Sequence, residues 1–421
     1  MPASHETTVT TALRTESHIP ALDGVRGLAI LVVMLGHFTL AYRPVHLWEA
    51  FLKRFLETGW LGVDLFFVLS GFLITGILLQ AKGSKHYFRN FYARRTLRIF
   101  PLYYGFLIAF FIIAPLVHPP APGGQFESWQ KSQWWFWTYL SNYQILFPQW
   151  ARPYPLTHFW TLAVEEQFYL FWPAVVLLTS RKGLIRVCLA TVVVALAVRI
   201  ALHVAGIPET AGYRITPARI DTLAIGALLA VLVLDDHARE LIRRYALRTF
   251  LICVTIMAAI AIPARTLPQS SFPMQLVGYP AIAVASALLI SRAVDGSGMG
   301  LLNRFFSTRV MRFLGKYSYG IYVIHFPLTR VFDRVGLRVA SFPTIAGSEL
   351  PGAIAYAAIA TTVSILLALL SWHLYEKRFL SLKRLFPRRE PRRGKSGPLS
   401  GTEHFAEHRV TDTVGGPRKA L

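Results

Sequence analysis

Arg26 and His37 lie within one apolar run, residues 21–42 (ALDGVRGLAILVVMLGHFTLAY). A run of this length reads as a membrane-spanning helix. An arginine inside such a helix is costly and faces the protein interior or a wet cavity. Eleven residues at about 100° per residue return to within about 20° of the same face, after a rise of about 16.5 Å. Cation and imidazole therefore share one stripe, roughly half a bilayer apart. The stripe reads as a polar path into a membrane protein, ending at a titratable group.

Other polar residues sit in apolar surroundings. Asp64 falls in Gly62-Val63-Asp64-Leu65-Phe66-Phe67, and Glu165 and Glu166 follow Trp160-Thr161-Leu162-Ala163-Val164. A histidine held by a carboxylate is a general-base arrangement, and either Asp64 or Glu165 could supply the carboxylate. Adjacent glutamates point about 100° apart, whereas His158, Thr161 and Glu165 form one stripe, which favours Glu165 as the inward-facing acid. Arg95 and Arg98 are i, i+3 neighbours, and two fixed guanidiniums suit a polyphosphate. With Arg26 they would form a basic mouth. Plain structural roles compete: His37 and His325 as interhelical hydrogen-bonding residues, Asp64 as a helix-terminal charge, and Arg94, Arg95 and Arg98 as membrane-surface anchors. The His-x-x-x-Asp pattern of soluble acyl-CoA transferases is absent after His37, where Phe38-Thr39-Leu40-Ala41 follows.

The elements that position these residues are long and apolar. The 421 residues are 54% hydrophobic with a mean hydropathy of +0.43, so the fold class is an all-α polytopic membrane protein. Ten spans are expected, near 20–42, 61–80, 99–117, 158–179, 184–205, 217–234, 248–263, 275–293, 315–332 and 353–375. The segments after even-numbered spans carry 27 Lys and Arg, against 9 after odd-numbered spans, which places both termini in the cytoplasm. The net charge of +22 is confined to these connections and the tail, so nucleic acid is not an expected partner. The long outer segment 118–157, opening Pro119-Pro120-Ala121-Pro122 and bearing Trp134, Trp135 and Trp137, reads as interfacial rather than as an eleventh span. Cys188 and Cys253 lie in different apolar segments, with no Cys/His cluster that would hold a metal. The expected organisation is a cytoplasmic segment 1–18, a transmembrane domain 19–385 and a basic, disordered cytoplasmic tail 386–421. On this topology Arg26, Arg95 and Arg98 lie towards the cytoplasm, His37 and Asp64 lie in the outer half, and Glu165, Glu166 and His325 lie outer or near mid-depth.

Taken in order, the motifs resemble the membrane-bound acyltransferase 3 family, bacterial O-acyltransferases that modify cell-surface polysaccharides, peptidoglycan, nodulation factors and some macrolides. They are Ala21-Leu22-Asp23-Gly24-Val25-Arg26-Gly27 with His37 (R-x10-H), Gly62-Val63-Asp64 through Ser70-Gly71-Phe72-Leu73-Ile74, and Arg95-x-x-Arg98 before Ile99-Phe100-Pro101. Phe159-Trp160-Thr161 through Glu165-Glu166-Gln167-Phe168-Tyr169, Arg219-Ile220-Asp221 and Gly315-Lys316-Tyr317-Ser318-Tyr319-Gly320 through His325 complete the set.

The resemblance implies ten spans in the inner (plasma) membrane and no permanently bound cofactor. It implies an acyl-CoA donor, acetyl-CoA foremost, taken from the cytoplasm, with transfer to a hydroxyl. His37 is its expected catalytic residue, and Arg95 and Arg98 its expected donor-binding pair. Together with the residue reading, CoA phosphates are expected at Arg95 and Arg98, the pantetheine arm along the Arg26–His37 stripe, and Asp64, Glu165 or Glu166 beside the base. No hydrolase-like sequence follows span ten, so transfer is expected directly to a glycan, a lipid-linked glycan or another small or growing acceptor. A macrolide or similar metabolite is the alternative acceptor, and a proton-coupled transporter the alternative from another class.

The charge pattern predicts sidedness. In a background lacking Cys188 and Cys253, a cysteine at Ser84 should react with a membrane-impermeant thiol reagent only after cells are opened. One at Ser128 should react in intact cells once any outer membrane is permeabilised. The reverse pattern overturns the topology.

Overall fold

The computed structural model describes residues 19–39, 41–117, 123–150, 152–294 and 300–387. The expected N-terminal segment 1–18, the residues Pro119–Pro122 and nearly all of the basic tail lie outside these. The described residues are helical, with no β-strand among them. Ten long helices organise the described residues: α1 (Pro20–Phe38), α2 (Leu61–Ala81), α3 (Tyr87–Ile108), α4 (Trp160–Leu178), α5 (Arg181–Val204), α6 (Thr216–Leu232), α7 (Asp236–Ala264), α8 (Tyr279–Val294), α9 (Arg309–Arg334) and α10 (Leu350–Ser371).

Local chemistry sets several of the starts. Proline stands in the first turn of α1, α6 and α10, where its missing N–H is not needed. Ser180, Asp235 and Thr308 cap α5, α7 and α9, each side chain accepting a backbone N–H three residues on.

Nine helical stretches among the described residues are long and apolar enough to cross a membrane, and each contains one of α1–α8 or α10. The expected ninth span is α9. Its 26 residues would rise about 39 Å, yet it is too polar to join that set. Segment 118–157 contributes only short helices where it is described, Gln125–Lys131, Trp134–Trp137 and a 3-10 turn Gln144–Leu146. An additional helix, Leu47–Glu57, leads into α2 through a single turn and exposes Leu47, Trp48, Phe51 and Phe55 along one stripe, as a helix lying at a membrane surface does.

The helices sort by polarity. The apolar stretch of α7 is only 11% buried and that of α5 17%, whereas α6 with its preceding turn is 72% buried. Helices that are apolar over most of their surface face outward. Four of those with intramembrane charges or imidazoles, α1, α2, α6 and α9, pack on one another, and α5 turns its buried Arg199 towards α6. Glycine makes this possible. A Cβ on Gly315 of α9 would sit 1.8 Å from the Asp23 carbonyl of α1, and one on Gly27 of α1 2.0 Å from the Met311 carbonyl of α9. Gly71 of α2 and Gly226 of α6 make the same backbone-to-backbone approach. Small residues allowing close contact are how membrane helices gain packing energy without a hydrophobic drive.

Candidate active site

The α1–α9 crossing brings His37 to His325. Nδ1 of His37 lies 2.9 Å from Nε2 of His325, and the rings are inclined by only 18°. The other nitrogen of His325, Nδ1, lies 2.8 Å from the Tyr322 carbonyl and 3.2 Å from that of Ile321. Both are acceptors, so Nδ1 of His325 carries the proton. In the neutral ring its Nε2 is then a lone pair. His37 must donate to it from Nδ1, which leaves Nε2 of His37 as the basic nitrogen. His158, in the 3-10 turn Tyr154–Phe159, lies against the same group. Its Nε2 is 3.0 Å from the Tyr322 carbonyl, and its Nδ1 is buried with no partner among the described residues.

Two cavities meet near this point. One has about 1060 Å³ of empty space, part of it open to the outside, and is walled by His37, His158, Trp60, Tyr213, Arg214 and Gln269 among others. The second, about 850 Å³ on the same measure, is walled by Arg26, Arg95, Arg98, Glu165, Glu166 and Tyr169 among others. Val63, Thr161 and Tyr322 line both. The Thr161 and Tyr322 hydroxyls are 2.6 Å apart and both reach the His158 carbonyl, at 3.1 and 3.0 Å. This thin partition separates an arginine cavity from a histidine cavity. α1 spans both, with Arg26 on one and His37 on the other.

The arginine cavity gathers what the spacing led one to expect. Arg26 bonds Asp23 at 3.2 Å. The Arg95 guanidinium stands 5.0 Å from the Tyr169 ring centre, and the Tyr169 hydroxyl is hydrogen-bonded to Ser70. Glu165 faces Arg95 and Arg26, and Glu166 faces Arg95. Both glutamates line this cavity, although one face of α4 was expected to hold only Glu165. Three guanidiniums therefore share one cavity with two carboxylates.

The expected partner of His37 is not a carboxylate. Asp64 pairs with Arg219 at 2.5 Å, and Arg199 pairs with Asp221 at 2.8 Å, all four side chains being fully or almost fully buried. The Arg219 guanidinium also lies 4.1 Å from the centre of the Tyr279 ring. Depth along a helix placed Asp64 level with His37 but said nothing of rotation. α2 turns Asp64 towards α6, where Arg219 waits. Glu165 and Glu166 belong to the arginine cavity. Sequence reasoning gave His158 no role beyond its stripe and missed the pairing of His325. It also passed over Arg199 and left Arg219 unpaired, although two arginines and an aspartate within spans five and six already signalled a buried ion network.

Asp64 is thus a structural ion-pair partner. Asp64→Ala leaves a buried, unpaired guanidinium, at a cost of about 3–5 kcal/mol. Thermal unfolding of the detergent-solubilised variant should show a large loss of stability. A variant as stable as the parent but inactive would return Asp64 to the chemistry.

Residues 19–371 match the family model described as an acyltransferase domain. The chain is 28% identical to the peptidoglycan O-acetyltransferase OatA of Listeria monocytogenes over 325 residues, 74% of this chain and 49% of that protein. It is 29% identical to the putative peptidoglycan O-acetyltransferase YrhL of Bacillus subtilis over 336 residues, 75% of this chain and 49% of that protein. It is 27% identical to the O-acetyltransferase OatA of Staphylococcus aureus over 331 residues, 74% of this chain and 50% of that protein. The chain therefore spans about half the length of these relatives. No solved structure matches it. With one family model running from the first turn of the R-x10-H helix to the end of α10, the chain belongs to the acyltransferase 3 family.

Proposed function

We propose that the protein is a multi-pass O-acetyltransferase of the plasma (inner) membrane. It moves an acetyl group from acetyl-CoA to a hydroxyl of a cell-surface glycan or its lipid-linked precursor. One observation carries the reading: His325 spends its Nδ1–H on backbone carbonyls, so His37 donates from Nδ1 and keeps a basic Nε2 at the wall of a large cavity. The relatives are named for O-acetylation of peptidoglycan, which favours a glycan acceptor.

The arginine cavity is the donor side, and both termini lie in the cytoplasm with it. Arg95 and Arg98 take the CoA phosphates through charge-assisted hydrogen bonds, and the pantetheine arm follows α1 past Arg26. The thioester passes the Val63–Thr161–Tyr322 partition, and the acceptor enters the histidine cavity from the other face. Nε2 of His37 removes the acceptor O–H proton as the oxygen attacks the thioester carbonyl. The tetrahedral intermediate collapses, the C–S bond breaks, and the CoA sulfur takes the proton back from His37. His325 touches no reacting atom. It is a positioning residue that fixes the tautomer of His37 and accepts its Nδ1–H while the imidazolium exists.

Two sets of variants test the scheme. His37→Ala should insert and fold yet lose about 10²–10⁴-fold of transfer rate, and near-normal turnover would sink the assignment. His325→Ala should lower kcat with the KM for acetyl-CoA unchanged. His325→Gln should recover part of it, because the amide oxygen can accept from Nδ1 of His37. Equal loss in both His325 variants removes the positioning role. Arg95→Ala and Arg98→Ala should raise the KM for acetyl-CoA but not for an acetyl-pantetheine donor without the nucleotide phosphates. Equal weakening towards both donors favours simple membrane anchors.

A further inference from the structure

Arg214 is a cation that nothing in the scheme above uses. It ends the short helix Glu209–Arg214 and lines the histidine cavity together with His37. It makes no hydrogen bond or ion pair among the described residues, and its Nε is buried without a partner. The charged group that acts on it is a second cation, Arg152. Glu57 lines the same cavity but does not come within ion-pairing distance of Arg214 among the described residues. Arg214 is also the sole Lys or Arg of segment 206–216, a connection that the positive-inside pattern would leave uncharged. A half-buried guanidinium without an acceptor is costly. Its planar fork matches an oxyanion through two parallel hydrogen bonds, and Arg152 raises the local positive potential. The remaining wall, with Trp60, Tyr213 and Gln269, offers aromatic faces and a few polar groups, the make-up of a small-ligand site.

We infer that the histidine cavity is an acceptor site selective for a sugar bearing an anionic group, carboxylate or phosphate, which Arg214 binds while a hydroxyl of the same sugar is presented to His37. The inference rests on the proposal that the acceptor enters this cavity.

Binding and transfer are measured separately on the full chain in detergent. The probes are methyl glucuronide and N-acetylglucosamine phosphate, with methyl glucoside and N-acetylglucosamine as neutral counterparts. Ligand-induced thermal stabilisation reads binding, and acetyl transfer from acetyl-CoA reads turnover. The parent should bind at least one charged sugar about ten- to a hundredfold more tightly than its neutral counterpart, and the better of the two identifies the anion. Arg214→Gln should abolish that preference, weakening charged-sugar binding to the level of the neutral counterpart. Arg214→Lys, which keeps the charge and loses the fork, should retain a reduced preference, and it serves as the test if Arg214→Gln is unstable. No preference in the parent, or full preference in either variant, overturns the inference. Selective binding of charged sugars without transfer would refute the acetyltransferase reading and leave this site standing. Transfer to neutral and charged sugars alike would do the opposite.

Discussion

The hydrogen bond between His37 and His325 depends on how closely α1 and α9 approach. Gly27 and Gly315 bring the two backbones together where a Cβ would stand 1.8–2.0 Å from a carbonyl oxygen. That contact fixes both the rotation and the relative height of the helices. It then sets two imidazoles 2.9 Å apart, 288 residues distant in the chain. The carbonyl of Tyr322 completes the constraint. It draws the Nδ1–H of His325 and the Nε2 nitrogen of His158 to one oxygen, so the direction of each hydrogen bond follows from the backbone. An imidazole partner differs from a carboxylate in one useful respect. It stays neutral in the resting site, which costs far less in a membrane interior than a buried charge. If His37 takes a proton as proposed, the positive charge can spread across the hydrogen bond to the second ring.

The rest of the polar interior divides around this pair. Charges that would be intolerable alone are matched: Asp64 with Arg219, and Arg199 with Asp221. Breaking such pairs is destabilising even where forming them contributes little net stability. Their place is structural, holding α5, α6 and α2 together beneath the aromatic face of Tyr279. Three further cations are collected elsewhere, in the arginine cavity, where Arg26, Arg95 and Arg98 outnumber Glu165 and Glu166. The partition of Val63, Thr161 and Tyr322 keeps this charge from the imidazoles. Separation of this kind fits the proposed reaction, in which the anionic carrier would stay on one side while only its acyl end reached His37.

Much of this was legible in the sequence. Ten expected spans, nine of which fall in stretches apolar enough to cross a membrane, and the R-x10-H spacing placed the helices and the Arg26–His37 stripe, and Arg26, Arg95 and Arg98 do share one cavity. Residue spacing reports depth and relative angle within a helix. It does not report which neighbour a helix turns towards. Asp64 was therefore level with His37 yet paired with Arg219, and Glu165 was judged a partner for an imidazole that lies across the partition. His325 was weighed as a packing or hydrogen-bonding residue without a named partner, because a contact across 288 residues has no local pattern.

A signal for His325 was nevertheless present, in the helix that carries it. α9 is long enough to span but fails the apolarity that nine other stretches meet. Its buried face includes Tyr317, Ser318, Tyr322 and His325. A helix facing lipid cannot carry such residues. One surrounded by other helices can, provided that their hydrogen bonds are made inside the protein. The least apolar span of a polytopic enzyme is thus a physical pointer to its centre. In this chain that helix supplies the partner of His37, the shared carbonyl of Tyr322 and one wall of both cavities.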